Sequence, residues 1–192
     1  PTRYRPSAEK TDARYPLHLN TGRLRDQWHG MSRTGRVGRL YHHAEEPFLE
    51  MNARDMARRL LVDGDIARLT SRRGTATLRV KASEAMRAGQ VFLPMHWGSR
   101  FMNSAGANAL TVPLCDPVSR QPELKHAAVQ ITKLDLPWQL VVMRLAEEGT
   151  PTLDASSLLS RAQPLLGEFD YATLGMFGHD RSAVILRAAC AA

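Results

Sequence analysis

Two stretches of the chain carry residues with chemical reach. Thr21-Gly22-Arg23 leads into Trp28-His29-Gly30-Met31-Ser32-Arg33-Thr34-Gly35-Arg36. Glycines let a backbone approach a ligand closely. The hydroxyls of Thr21, Ser32 and Thr34 and free N–H groups can hydrogen-bond phosphate oxygens, and Arg23, Arg33 or Arg36 can neutralise them. This chemistry suits a pyrophosphate, although the spacing is neither GxGxxG nor GxxxxGKS. The second stretch holds Pro94-Met95-His96-Trp97-Gly98, then Asn108-Ala109-Leu110-Thr111, Asp116-Pro117 and Gln121-Pro122-Glu123-Leu124-Lys125. It lies in a long connection between two strand candidates, where loops carry function. From residue types alone, Trp97 is equally a hydrophobic plug, His96 a partner of backbone groups, and Lys125 a solvated charge.

Other chemistries lack their residues. No nucleophile elbow, HExxH, paired carboxylates or Ser/His/Asp spacing stands out. His42-His43 with Glu45-Glu46 has the right residue types for a metal, but neighbours on a strand face opposite ways and rarely share one ion. Cys115 and Cys190 lie far apart without Cys or His neighbours, so they read as two reduced thiols.

The charge is unevenly placed along the 192 residues, whose net charge is +7. The excess sits in residues 1 to 40, and residues 137 to 192 are mildly acidic. Only Lys10, Lys81, Lys125 and Lys133 are lysines. The front is therefore an arginine surface, suited to bidentate phosphate or carboxylate binding. No apolar run approaches the roughly 18 residues of a membrane span. The chain opens Pro1-Thr2-Arg3, without an initiator Met, and is expected to be an excised portion of a longer polypeptide.

The elements that must position these residues follow from periodicity. Residues 1 to 14 are polar and read as a linker or arm. Tyr15 to Asn20 is a strand closed by the turn-prone Asn20-Thr21-Gly22, and an aperiodic loop runs on to Leu40. Phe48 to Met51 is a strand, after which Asn52 caps a helix presenting Ala53, Met56, Ala57, Leu60 and Leu61 at i, i+3, i+4, i+7 and i+8. Ile66 to Ser71 and the alternating Leu78, Val80 and Ala82 form a hairpin about Arg72-Arg73-Gly74. Gly89 to Met95, halted by Pro94, and Ala127, Val129 and Ile131 give two more strands. Many short strands and one helix imply a closed barrel with the helix packed outside. After Leu136-Pro137 the pattern becomes β-α-β-β. Val141, Met143 and Leu145 alternate, Asp154 caps a helix presenting Leu158, Leu159, Ala162, Leu165 and Leu166, and a hairpin turns about Gly178-His179-Asp180-Arg181.

Taken in order, several motifs resemble one family. They are Leu19-Asn20-Thr21-Gly22-Arg23, Asp26-Gln27-Trp28-His29, Arg33-Thr34-Gly35, Pro94-Met95-His96-Trp97, Asn108-Ala109-Leu110, Asp116-Pro117 and Gln121-Pro122-Glu123-Leu124-Lys125. They resemble the C-terminal dinucleotide-binding domain of the molybdopterin oxidoreductases, and within these the assimilatory nitrate reductase catalytic subunits. The resemblance covers roughly residues 15 to 133. Formate dehydrogenases share the Asn-Ala-Leu-Thr and Asp-Pro features, but Asp-Gln-Trp-His and Pro-Met-His-Trp favour the nitrate enzymes. A basic nucleic-acid-binding barrel fits less well, because the arginines lie in one loop and few aromatics are placed to stack on bases.

The resemblance implies a mainly β fold with some α: a six-stranded double-psi β-barrel over residues 15–136 and a small β-α-β-β appendage over 137–192. It implies bis-molybdopterin guanine dinucleotide, with molybdenum, as cofactor. Thr21, Gly22, Arg23, Trp28, His29, Asn108 and Lys125 match cofactor-binding positions, and His96 and Trp97 match the substrate funnel. It places the iron-sulfur cluster and the molybdenum ligand in other domains, so the chain alone carries no catalytic residue. The implied partners are the remaining domains of the same polypeptide and an electron-donor protein or subunit, with neither nucleic acid nor membrane, in the cytoplasm.

Overall fold

The computed structural model describes residues 6–147, 149–150, 153–178 and 182–191. The elements in chain order are β1 (Leu17–Gly22), β2 (Phe48–Met51), α1 (Ala53–Ala57), β3 (Ile66–Ser71), β4 (Thr75–Ala82), β5 (Gln90–Pro94), β6 (Ala127–Lys133), β7 (Trp138–Leu145), α2 (Ala155–Ala162), β8 (Tyr171–Phe177) and β9 (Ala183–Cys190). Strands β1 to β6 close a barrel in the order β1-β5-β2-β4-β3-β6, and β7-β9-β8 form a separate three-stranded sheet. No helix among the described residues is long and apolar enough to cross a membrane.

The barrel has an internal topological symmetry. Pairs β1–β5 and β2–β4 are parallel, whereas β1–β6, β3–β4, β2–β5 and β3–β6 are antiparallel. Exchanging β1 with β4, β2 with β5 and β3 with β6 maps every pairing onto one of the same sense, as in a double-psi barrel. The connection after β1, residues 23–47, therefore corresponds to the short one after β4, residues 83–89. Likewise the connection after β5, residues 95–126, corresponds to the one that holds α1. Each half of the barrel thus carries one extended loop.

Alternating residues fill the interior. Leu17, Leu19, Leu49, Met51, Leu69, Leu78, Val80 and Val91 are each at most 2% exposed, and inward-facing residues of a small closed barrel pack as its core. One continuous apolar cluster runs from the barrel to Leu158, Leu174 and Leu186 beyond it. The β7-β9-β8 sheet thus shares no strand ladder with the barrel but shares its core.

Several elements depart from their sequence-based expectation. Strand β1 continues through Thr21 and Gly22, which pair in parallel with Leu93 and Pro94, instead of turning at Asn20. Asn52 does cap α1 by accepting from Arg54 N–H, but the helix ends at Ala57. Leu60 takes φ +56 and is 82% exposed. Leu61 N–H returns to Met56 O at 3.0 Å, so a left-handed residue closes the helix and the chain turns toward β3. Asp154 caps α2 through Ser157 N–H, yet Pro164 converts the following turn to a 3-10 segment, Gln163–Glu168, and leaves Leu165 exposed. The alternation in β7 does not mark a buried face, since all eight residues are exposed on an open edge strand. The centre of the expected hairpin turn, residues 179–181, lies outside the described residues.

The loop after β1 is also more ordered than its composition implies. It contains two 3-10 turns, Thr34–Arg36 and Gly38–Tyr41, and buries Met31, Gly35 and Tyr41. It rests on β8, with Gly38 so close that a Cβ there would lie 2.7 Å from Gly178 O. The loop after β5 also rests on β8: Leu174 N–H donates to Phe101 O at 2.7 Å and Asn103 N–H to Ala172 O at 3.1 Å. The C-terminal sheet is therefore the floor beneath both long loops.

The first described residues form an anchored arm rather than a free linker. Glu9 pairs with Arg72 and Arg73 at 2.8 Å and accepts Ala128 N–H at 2.8 Å, while its carbonyl meets His126 Nε2 at 2.7 Å. Polar composition gave no signal for this, because the partners lie in the β3–β4 turn and at the start of β6.

Candidate functional site

The parallel pairing of β1 with β5 aligns Gly22 with Pro94, and Met95 N–H continues the ladder to Gly22 O at 2.9 Å. The two chemistry-bearing loops therefore leave the barrel side by side from the same end. The start of β6 and the β3–β4 turn close the same end, since Leu19 pairs with Ala127 and Ser71 with Val129.

Thr21 and Lys125 meet here. Thr21 Oγ1 donates to Leu124 O, and Lys125 Nζ donates to Thr21 O at 3.1 Å. Gly22 fits beside Phe92, whose ring would lie 2.8 Å from an added Cβ. Arg23 and Arg33 are exposed and form no ion pair among the described residues, whereas Arg25 pairs with Asp26 at 2.8 Å. Trp28 is 50% exposed, with its ring edge-on to His29 at 4.5 Å between centroids. The Trp28 backbone N–H donates to Thr34 Oγ1 at 3.2 Å, and Met31 N–H returns to Trp28 O at 2.8 Å, which folds the loop back on itself.

Asn108 is exposed on a short 3-10 turn, Ala107–Ala109, entered through Gly106 at φ +74. Arg73 fixes this turn by donating from Nε to Leu110 O at 3.0 Å. Thus Thr21 and Lys125 bond directly, Gly22 and His29 bond to the loop after β5, and Arg23 and Trp28 flank these contacts in sequence, while Asn108 lies on the turn held by Arg73. Sequence reading placed Arg73 only as part of the Arg72-Arg73-Gly74 turn and gave it no role at the site.

His96 and Trp97, which match the substrate-funnel positions of the family, are buried in this chain. Each is only 1% exposed. Leu24 N–H donates to His96 Nε2 at 2.8 Å, and His96 Nδ1 lies 2.7 Å from His29 O. Trp97 Nε1 is buried without a hydrogen-bond partner among the described residues. Of the His42-His43-Glu45-Glu46 group, Glu45 pairs with Arg187, and buried Glu46 accepts from Tyr171 Oη and pairs with Arg79. These carboxylates join the front loop and barrel to the C-terminal sheet.

Residues 17–128 match the family model described as "Molydopterin dinucleotide binding domain". The chain belongs to this family. The matched span of this molybdopterin dinucleotide-binding domain runs from β1 to the start of β6 and includes both long loops. The domain is 44% identical over 131 residues to a nitrate reductase of Klebsiella oxytoca, covering 68% of this chain and 15% of that protein. It is 41% identical to a nitrate reductase of Synechocystis sp., covering 65% and 18% respectively. It is 35% identical to an F420-dependent formate dehydrogenase subunit alpha of Methanocaldococcus jannaschii, covering 70% and 19%. The chain therefore spans less than a fifth of the length of these relatives. Its fold is similar to that of acetylene hydratase from Pelobacter acetylenicus, with a TM-score of 0.53 at 17% identity over 62% of this chain and 18% of that one.

The donor set fits a dinucleotide of this kind. Two guanidinium groups without carboxylate partners among the described residues, an exposed indole and glycines at the strand ends offer charge, stacking surface and close backbone approach.

Proposed function

We propose that this domain holds the guanine dinucleotide form of molybdopterin within a longer nitrate reductase polypeptide. The observation that carries this reading is the parallel Gly22–Pro94 alignment, which sets the arginine-rich loop beside the His96–Lys125 loop at one barrel end. Arg23 and Arg33 would neutralise the phosphates, and Trp28 and His29 would flank the ligand. Asn108 would hydrogen-bond the nucleotide, and Thr21, Gly22 and Lys125 would set the edge on which it rests.

When bound, the cofactor supplies the two-electron chemistry and oxygen acceptance by which nitrate becomes nitrite. This chain's residues bind, orient and neutralise. The iron-sulfur cluster and the molybdenum ligand would come from the remaining domains of the same polypeptide, and electrons from a donor protein or subunit. The higher identity to the two nitrate reductases supports nitrate over formate. An assimilatory, cytoplasmic enzyme accords with the motif resemblance, and so does the division into a barrel and a C-terminal β-α-β-β unit.

Titration of the chain with GDP, followed by Trp fluorescence, tests the reading. Wild type should bind with a change in Trp28 emission, and Arg23→Ala should weaken binding by about ten- to a hundredfold, since a charged hydrogen bond contributes about 1.5–3 kcal/mol. In the longer polypeptide, Arg23→Ala should lower molybdenum and guanine nucleotide content per chain. Equal affinity and equal content in both proteins would remove the phosphate role of this loop.

A further inference from the structure

One imidazole ring joins two points of the front loop to the loop that follows β5. Leu24 N–H lies 2.8 Å from His96 Nε2, and His29 O lies 2.7 Å from His96 Nδ1. An amide N–H only donates and a carbonyl only accepts. The partners therefore dictate a single protonation state, with Nε2 bare and the proton on Nδ1. The segment held this way is strained: His29 has φ +42 and Met31 φ +59, a region that residues other than glycine seldom adopt. Arg23 directly precedes the first contact, and Trp28 directly precedes the second.

We infer that His96 is a neutral-imidazole latch that holds the 24–29 turn, and with it Arg23 and Trp28, in the conformation presented to a phosphate-bearing ligand, and that protonation of the ring opens it. The consequence for a ligand rests on the proposed function, whereas the latch belongs to the unliganded chain. Protonation would set an Nε2–H against the Leu24 N–H and place a charge in a ring shielded from solvent. The charged and titratable groups facing the ring are Arg23 and His29 of the front loop, and the Trp97 ring lies at 6.3 Å between centroids. No carboxylate bonds to the ring among the described residues. Burial depresses the imidazole pKa below its ordinary value. The His29 carbonyl opposes this, and the Arg23 and His29 charges reinforce it. A depressed histidine pKa means that the native contribution is present above the ordinary imidazole value and is lost as pH falls through the folded one. His96 is thus a positioning residue, acting through the backbone of Leu24 and His29.

Amide hydrogen exchange and imidazole nitrogen shifts, measured by NMR on this chain from about pH 7.5 down to the pH at which those shifts report a protonated His96 ring, test the latch. In wild type the Leu24 amide should be protected at least about tenfold at the higher pH. Its protection should fall at the lower pH while barrel amides stay protected, and the neutral ring should carry its proton on Nδ1. His96→Gln places a non-titrating acceptor toward Leu24 and should keep protection at both pH values. His96→Leu should lose it at both. An unprotected Leu24 amide in wild type at the higher pH, a proton on Nε2, or full protection in a folded His96→Leu overturns the latch. Should His96→Leu fail to fold, the wild-type pH profile and the glutamine variant decide. Loss of GDP binding with Leu24 still protected would count against the proposed function and leave the latch standing.

Discussion

Lys125 Nζ donates to the carbonyl of Thr21 at 3.1 Å, while the Thr21 hydroxyl returns a hydrogen bond to Leu124 O. These bonds extend the β1–β6 pairing past its last ladder residue and fix the edge from which the front loop departs. Thr21 is 5% exposed, so its hydroxyl has little access to water when its partner is lost. Thr21→Val should lower stability by about 1–2 kcal/mol in urea unfolding, because it leaves the Leu124 carbonyl short of a donor. Lys125→Met should destabilise less, since Lys125 is exposed.

Gly106 is required by geometry twice over. Its φ is +74, and an added Cβ would lie 2.1 Å from Trp97 O, a backbone atom that cannot swing aside. Gly106→Ala should cost about 3 kcal/mol or more and displace the Asn108 turn from Arg73. A thermal unfolding midpoint unchanged from wild type would contradict this.

Trp97 should behave as a core residue when truncated. At 1% exposure it is among the largest fully buried side chains, so Trp97→Ala should cost about 3–5 kcal/mol. Urea unfolding of the chain measures this directly, and a loss well below that range would point to a collapsible site.

The Glu9 clamp should make stability pH-dependent. Burial alone would raise its pKa, but hydrogen bonds from Arg73, the Ala128 N–H and Arg72 outweigh it and lower the carboxyl from 4.5 to about 2. A depressed carboxylate pKa contributes stability above its unfolded value and loses it as pH falls through the folded one. Wild type should therefore be more stable than Glu9→Gln at neutral pH, and the gap should narrow as pH falls from about 4.5 toward about 2. Urea midpoints across that window check the trend, and a constant gap would show that Glu9 ionisation contributes nothing.

Tyr171 and Glu46 should couple the barrel to its floor. Glu46 is 5% exposed and Tyr171 fully buried, and Arg79 Nε stands 3.4 Å from Glu46 Oε1. Tyr171→Phe removes the hydroxyl donor and leaves a buried carboxylate with one fewer partner, at a cost of about 1–3 kcal/mol. Because the floor supports both long loops, the same variant should also increase exchange at the Asn103 and Leu174 amides, which bond across that boundary.

Local sequence determined the parts of this protein that repeat locally. Side-chain alternation marked β4 and β6, and Asn52 and Asp154 marked two helix starts through their short oxygen-bearing side chains. Alternation says which side of a strand is apolar. It does not say which strand lies alongside or where pairing stops. The extension of β1 through Gly22 came from its parallel neighbour β5, and the contrast between exposed β7 and buried β8, both edge strands of one sheet, came from the loops that pack on β8. The two His96 contacts lie 72 and 67 residues apart in sequence, and Glu9 reaches Ala128 across 119. Their polar atoms meet only because barrel closure brings distant backbone to the same end. A buried donor or acceptor must then find its partner there, whatever the local pattern of the chain that supplies it.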